Sequence, residues 1–487
     1  MPLNKTTSVS APHAAIIGGG IAGSTAAIHL AEQGIKVTLF EQGPGLVNGP
    51  PICHLHAGGN LYREISNKQC IELLKQSVET VRLYPHAVNI RPTVIATPKK
   101  DKNSAQALLP RLEAIRSAYR ELVAEDEENA VLGSPEDYFR LYHREELEMI
   151  AKRKQPSEPA VFDDWMIPFA REVRLDALKY PVVAVQEFGL SLFRLAASVT
   201  LALNNHPYCT VQIGCTLQSA ERQRHNWILG YQDAQGQEQN IEVDYLINAA
   251  GYRTGMVDDL AGQPRQRLVE FKSAYITRWP VSDMSWPEVI FHGERGTPQG
   301  MAQLTPYADG YFQLHGMTEN ITLFKGGLVA SGSMSSQPKL PDPLERKITS
   351  GWSEDVMEQR TERAIEHMSQ YIPNFHLAEF GGKPLFGAQQ IPGTDATLRA
   401  VDVSFTDNSY ARVEIVKASS AYQAAKRIRQ QLVLEWAEKT KVGCDGVTLS
   451  PEKQHPRLAD LKREEVERLA IRLAQSRHYP EALAKFT

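Results

Sequence analysis

The N-terminal part of the chain alternates short apolar runs with turns of small residues. His13-Ala-Ala-Ile-Ile17 reads as a buried strand, and Gly18-Gly-Gly20-Ile-Ala-Gly23 follows at once. Residues 24–33 then place Ala26, Ala27, Leu30 and Ala31 on one side of a helix, which Gly34 closes. Lys36-Val-Thr-Leu-Phe40 alternates as a second strand and ends on Glu41. The pattern predicts a complete β-α-β unit. Further on, residues 209–213, 226–231 and 240–247 alternate as strands, and Cys215-Thr216-Leu217 begins another. The strand at 240–247 runs into Asn248-Ala-Ala-Gly251. An apolar stretch around residues 190–203 is broken by Arg194, Ser198 and Thr200, far short of a membrane span.

Between and after these pieces the rhythm changes. Residues 108–129 form a charged helical stretch whose Glu125-Asp-Glu-Glu128 patch reads as a solvated face. Residues 271–277, 288–292, 311–315 and 321–324 read as strands of an antiparallel sheet. A strand at 410–416 leads into Lys417-Ala-Ser-Ser-Ala421, which opens a helix through Ala424, Ile428 and Leu432. From Pro456, residues Leu458, Leu461, Val466, Leu469 and Leu473 recur at helical spacing, as in a docking or dimer helix.

Composition narrows the class. With 42% hydrophobic and 23% charged residues, the 487-residue chain is long enough for two large interleaved units, and nothing marks it as disordered. Lys+Arg total 53 against 57 Asp+Glu, so no nucleic-acid partner is indicated. Five cysteines (Cys53, Cys70, Cys209, Cys215 and Cys444) form no CxxC pair, which argues against zinc or a disulfide framework and for a reducing compartment. The first dozen residues lack the apolar core of a signal peptide, so a cytoplasmic location with no transmembrane segment is expected. GxSxG, HExxH, P-loop and kinase signatures are all missing.

The β-α-β unit carries the chemistry. Gly18 permits the tight turn, Gly20 lets backbone approach a pyrophosphate, and Gly23 lets helix and strand pack closely. The helix N-terminus would hold the diphosphate. Glu41, 18 residues after Gly23, would accept hydrogen bonds from a ribose diol and repel a 2′-phosphate, which argues against NADP. Together with the strand running into Asn248-Ala-Ala-Gly251 and the intervening apolar helix, this unit resembles the FAD-dependent oxidoreductases of the D-amino acid oxidase superfamily.

The resemblance implies an α/β fold: a Rossmann-like FAD-binding domain (GxGxxG βαβ) interrupted by an α+β substrate domain with an antiparallel sheet. The expected layout gives residues 1–95, 185–269 and 376–440 to FAD binding, 96–184 and 270–375 to the substrate region, and 441–487 to a C-terminal helical extension. FAD contacts are expected from Gly18, Gly20, Gly23, Glu41, Gln42, Ala57, Gly58, Leu217, Ala249 and Gly251. Ser419 and Ser420 would offer N–H and O–H groups to the flavin's polar edge. In Cys53-His54-Leu55-His56-Ala57-Gly58-Gly59, alternation sends both imidazoles to one side. His56 is preferred as a base or charge partner, with structural roles, covalent flavin attachment and a metal site as the alternatives at that loop. His315 is a second candidate from the substrate sheet. Arg63, Arg253 and Arg399 could each clamp a substrate carboxylate bidentately.

The implied reaction is oxidation of a small amine, amino acid or 2-hydroxy acid by hydride transfer to flavin, with oxygen or a quinone as acceptor and a homodimer as an open possibility. A flavin monooxygenase or halogenase shares the N-terminal unit, but here Gly393 and Asp395 are separated by Thr394. A flavin-holding accessory protein without turnover is the other alternative.

Overall fold

A computed structural model describes residues 11–48, 65–400, 403–406, 408–440 and 455–487, together with the backbone of Leu55–His56. The predicted β-α-β unit is present as strand β1 (His13–Ile17), helix α1 (Ile21–Glu32) and strand β2 (Lys36–Glu41). They belong to a six-stranded sheet in the order Val403–Thr406, Tyr410–Val413, Tyr245–Asn248, β1, β2, Cys209–Ile213. All neighbours are parallel except the pair made by Val403–Thr406.

β1 is apolar throughout because both of its faces are covered. Ala14 and Ile16 pack with Ala26, Ala27 and Leu30 of α1. Ala15 and Ile17 pack with Trp227 and Leu229 of a three-stranded antiparallel sheet, Thr216–Gln223, Asn226–Gln232 and Glu238–Val243.

The stretch expected as one strand at 240–247 is two. Glu238–Val243 closes the antiparallel sheet, and Tyr245–Asn248 joins β1 in parallel. Asp244 makes the handover: its N–H donates to the carbonyl of His13 at 2.8 Å, and its carboxylate accepts from the His13 N–H at 3.0 Å. A polar residue inside an apolar run marks where the chain changes sheets.

The second large sheet has nine strands. Arg267–Arg278 lies at its heart, antiparallel to Tyr311–Gly316, Leu328–Ala330 and Glu379–Pro392. Beyond Tyr311–Gly316 come Ala302–Pro306, Glu288–Phe291, Thr93–Pro98, Leu178–Val185 and Phe139–Tyr142. Residues 321–324, expected as a strand, instead form a turn whose carbonyls at Ile321 and Leu323 accept from Arg360. Ala302–Pro306, Leu328–Ala330, Thr93–Pro98, Phe139–Tyr142, Leu178–Val185 and Glu379–Pro392 are strands beyond those expected. The expected boundary at 376 also shifts, because Glu379–Pro392 runs along Arg267–Arg278 in this sheet and not in the cofactor sheet.

Alternation along Arg267–Arg278 divides the sheet's faces. Val269 and Phe271 pack outward against Leu340 and Leu344. Ala274 and Ile276 pack inward against Phe193 and Ala197 of the apolar helix Leu192–Leu203, and against Val466 and Ala470 of the helix Arg463–Ser476. The apolar stripe read from Pro456 onward therefore packs within the chain itself, with Leu458 and Val466 buried and Leu461, Leu469 and Leu473 half-buried. Among the described residues no helix is long and apolar enough to cross a membrane.

One buried ionic cluster joins the two sheets. Asp258 accepts from Tyr410 Oη at 2.7 Å, Arg412 Nε at 2.7 Å and Asn248 Nδ2 at 3.2 Å, all reaching it from the smaller sheet. Arg267 pairs with Asp258 from the larger sheet and donates to Gln390 Oε1 at 2.9 Å. Gln390 Nε2 in turn donates to the carbonyl of Val413 at 2.9 Å, so the bridge is made twice.

Removing the shared carboxylate strands two buried guanidinium groups. Asp258→Ala is expected to cost about 3–5 kcal/mol, read as a lower urea midpoint. We also propose that the chain folds as two interleaved units. A fragment of residues 1–180 lacks Cys209–Ile213, Tyr245–Asn248 and Tyr410–Val413, and is expected to show no cooperative melt. A stably folded 1–180 fragment would refute that layout.

Candidate functional site

The first loop of the β-α-β unit separates its three glycines by role. A Cβ on Gly18, whose φ is +106°, would sit 2.4 Å from the Ala249 carbonyl oxygen. One on Gly23 would sit 1.9 Å from the carbonyl oxygen of Gly18. Both glycines are demanded by packing. Gly20 differs: a Cβ there meets nothing within 4 Å, so its flank at the start of α1 is open. The Glu41 carboxylate lies beside this loop, accepting from the Gly19 N–H at 2.7 Å and the Gly43 N–H at 2.6 Å. Ala249 donates its N–H to Ile17 at 2.8 Å, and Gly251, at φ +60°, also has an open flank. Leu217 packs with Ala250 against the same apolar cluster as Ile17 and Phe40. Gln42 is exposed and accepts from Arg253 Nη1 at 3.2 Å. These groups share the carboxyl ends of the parallel strands, where open α/β sheets bind ligands.

A second wall comes from the turn Ala418–Ser420, which opens the helix Ala421–Thr440. Ser419 and Ser420 are buried there. Ser420 donates its hydroxyl to Gln76 Oε1 at 2.5 Å, and the Ser419 carbonyl accepts from Thr80 Oγ1 at 3.0 Å. The expected O–H donation from Ser420 to a ligand is corrected accordingly, since Gln76 already takes that proton. The backbone of Leu55–His56 lies against this turn and pairs with Gly189–Leu190, His56 standing opposite Gly189. Cys53, His54, Ala57, Gly58 and Arg63 lie outside the described residues, as does the His56 side chain.

The inner face of the nine-stranded sheet carries a row of polar side chains, half-buried at Gln389 and buried beyond it. It runs through Gln389, Lys272, His315, Gln303, Glu288 and Arg91, with Gln303 in register with His315. At one end Gln389 Nε2 donates to the Val416 carbonyl at 2.5 Å, next to Ala418–Ser420. At the other end a Cβ on Gly189 would lie 3.2 Å from Arg91 Nη2 and 3.6 Å from Glu288 Oε2. The row therefore runs from the Ala418–Ser420 turn to Gly189.

Its electrostatics are uneven. Lys272 pairs with Glu270 at 2.7 Å and Arg295 pairs with the same carboxylate. Burial opposes ionisation of Glu270, yet these two cations hold it below the usual range. Burial pushes His315 down to about 3, helped by Lys272 and Arg295, so it stays neutral and is a weak base near pH 7. Burial pushes Glu288 up to about 7 against the pull of Arg91, 3.4 Å away. A buried carboxyl that titrates near neutrality suits proton transfer. Arg253 faces Gln42, Tyr252 and Glu345, away from the row. Arg399 turns its guanidinium back onto the carbonyls of Ala396 and Leu398.

Sequence reading missed Lys272, Glu270, Glu288 and Arg91. The first two were detectable, because Glu270 and Lys272 sit two apart in a strand that is otherwise mostly apolar, and so share a face. Arg91 and Glu288 stand at strand beginnings and give no such signal.

A family model described as FAD dependent oxidoreductase matches residues 13–384. Solved structures of similar fold include L-α-glycerophosphate oxidase from Mycoplasma pneumoniae, at TM-score 0.56 and 12% identity, covering 87% of this chain and 95% of that one. L-proline dehydrogenase from P. horikoshii aligns at TM-score 0.54 and 13% identity, over 90% and 96%. Glycine oxidase from Geobacillus kaustophilus aligns at TM-score 0.53 and 12% identity, over 88% and 95%. At these identities the likeness is one of fold. A carotenoid phi-ring synthase from Streptomyces griseus is 61% identical over 36 residues, so the chain spans only 7% of that curated relative's length.

The raised Glu288 carboxyl has a signature in stability. It binds its proton more tightly when folded than when unfolded, so its ionisation destabilises the fold as pH rises from about 4.5 to about 7 and adds no further change above that. Glu288→Gln lacks this titration. The melting temperature of Glu288→Gln minus that of the parent is expected to climb between pH 4.5 and 7, then level off. A flat difference would place the carboxyl in the ordinary range.

Proposed function

The chain belongs to the family of FAD-dependent oxidoreductases, and on that premise we propose that it oxidises a small amine, amino acid or 2-hydroxy acid at the C–H bond beside its nitrogen or oxygen. Its cofactor is FAD. The observation that supports the reading is the polar row, which reaches the Ala418–Ser420 turn through Gln389 at one end and Gly189, the strand partner of His56, at the other.

The residues present fit the cofactor. Gly20's open flank and the α1 N-terminus suit a diphosphate, and Glu41 keeps lone pairs for a ribose diol beyond the two backbone N–H groups it accepts. Leu217 and residues 249–251 would border the adenosine, and the backbone of Ser419 and Ser420 at a helix N-terminus would meet the polar edge of the ring. Bound FAD supplies the acceptor for a hydride from the substrate.

The protein's own part is to position the substrate, exclude water and move one proton. Lys272, His315, Gln303, Glu288 and Arg91 are all nearly inaccessible to solvent, so hydrogen bonds made along the row act in a medium of low dielectric. His56, beside the Ser419–Ser420 turn, is assigned as base or charge partner. Glu288, with its carboxyl near neutrality, is the alternative proton acceptor. Oxygen or a quinone then takes the electrons.

An absorption spectrum of the purified protein before and after denaturation tests the cofactor. Two flavin bands released into the supernatant are expected, and Gly20→Val, which places a branched side chain on the diphosphate path, should purify colourless. Anaerobic bleaching by a member of an amino acid and 2-hydroxy acid panel tests the reaction. Bleaching by NADPH with no response to the panel would overturn it in favour of a monooxygenase. His56→Ala should keep its flavin while reduction slows by about 10²–10⁴-fold. Parent-rate reduction in a flavin-replete variant would remove His56 from the chemistry.

A further inference from the structure

We propose that the groove walled by His29, Glu79 and Tyr422, on the helix-covered face of the six-stranded sheet, is a second binding site, for an uncharged molecule with a hydroxyl on an apolar body. The groove shares no lining residue with the polar row, and its occupancy is independent of the oxidoreductase reading.

The groove forms where three helices come together. Helix α1, the C-terminal end of the helix Asn67–Leu83 and the start of Ala421–Thr440 meet there, beside residues 85–90 and 455–459. They border a cavity of about 660 Å³, within the range of small-ligand sites. Its apolar lining includes Val81, Leu83 and Val88, all buried, with Val131 half-buried and Ile90 exposed.

Its charges are already matched. Lys426 pairs with Glu79, and Arg82 pairs with Glu128 and, at 2.8 Å, with Asp126. A charged ligand would give up its hydration here with no spare counter-charge among the described residues to replace it. The walls therefore favour an uncharged occupant.

Two buried acceptors supply the polar recognition. His29 is 1% exposed and finds no hydrogen-bond partner for Nε2 among the described residues, and Glu79 finds none there for Oε2. The other His29 nitrogen is held by a chain of groups. Glu32, a carboxylate that can only accept, pairs with His455 Nδ1. His455 Nε2 lies 3.2 Å from Tyr422 Oη and 3.3 Å from His29 Nδ1. With His455 neutral, its one proton sits on Nδ1 toward Glu32, so its Nε2 accepts from His29 Nδ1–H. Burial, helped by His455, Arg429 and Lys426, pushes His29 down to about 3, so it carries that single proton and no second one. Its Nε2 is then a bare lone pair. Both unmatched atoms thus call for a donor, and a hydroxyl supplies one without charge.

Calorimetric titration at pH 8 with 4-butylphenol tests this on the full-length protein as purified. The parent is expected to bind it at least about fivefold more tightly than 4-butylanisole, whose ether oxygen cannot donate, or 4-butylbenzoate, which is an anion. His29→Leu should weaken 4-butylphenol by at least about fivefold, the scale of one buried hydrogen bond, and leave 4-butylanisole unchanged. Val131→Trp, which fills the groove from a half-buried position and leaves His29 in place, should weaken both. If His29→Leu does not fold, Val131→Trp and the comparison of phenol with ether decide. Undetectable binding of 4-butylphenol, equal affinity for phenol and ether, tighter binding of the benzoate, or parental affinity in either folded variant would each overturn the assignment. Binding is read without flavin reduction, so its outcome leaves the oxidoreductase reading to its own tests.

Discussion

Everything in this molecule hangs on one carboxylate held between two guanidinium groups. Asp258 is fully buried, as is Arg267, and Arg412 nearly so. Bringing three charges out of water is costly, and what offsets it is that Asp258 spends its lone pairs on Arg267, Arg412, Tyr410 and Asn248 together. Asn248 is the residue from which the chain enters Ala249-Ala-Gly251, against whose backbone Gly18 packs. The same network that satisfies a buried charge thus sets the height of the cofactor loop relative to the substrate sheet. Packing alone would leave that register loose, because apolar faces slide.

The C-terminal segment adds a second brace at the opposite flank. Arg477 donates to the carbonyls of Val47 and Leu46 at 2.8 and 3.0 Å, in the turn that follows Glu41. Arg194, the charge that interrupts the apolar helix, donates to the backbone carbonyls of Lys485 at 2.6 Å and Val88 at 3.0 Å. Its guanidinium also stacks on Phe486 at 4.1 Å. The charges that look like flaws in apolar stretches are the points where one element is fastened to another.

The cofactor half was legible in the sequence because its signals are local. Gly18, Gly20, Gly23 and Glu41 lie within one β-α-β unit, and each is specified by its immediate neighbours. The substrate half was legible only as a set of strands. Its chemistry depends on which strands become neighbours, and the antiparallel register that puts Gln303 beside His315 is invisible to a single alternating pattern. Arg91 and Glu288 are almost 200 residues apart and meet because Thr93–Pro98 pairs with Glu288–Phe291 in parallel. His315 was singled out for its chemical type, while its surroundings, rather than its identity, decide that it stays uncharged.

The parallel sheet places a timetable on synthesis. β1 receives its neighbour β2 almost at once, but Tyr245–Asn248 arrives much later, and Tyr410–Val413 only near the end of the sheet's assembly. At about 5–20 residues per second, β1 waits on the order of a minute on the ribosome before the network around Asp258 can close. Through that interval Ala15 and Ile17 lack part of their cover, because Trp227, Leu229 and Tyr410 have yet to emerge or dock. The nascent chain is therefore long-lived as a partly built sheet, exposed to chaperones, and its glycine loop reaches its final shape among the last parts of the molecule. Cofactor capture becomes a closing event of biogenesis, and a cell short of flavin would accumulate a nearly finished protein rather than an early fragment.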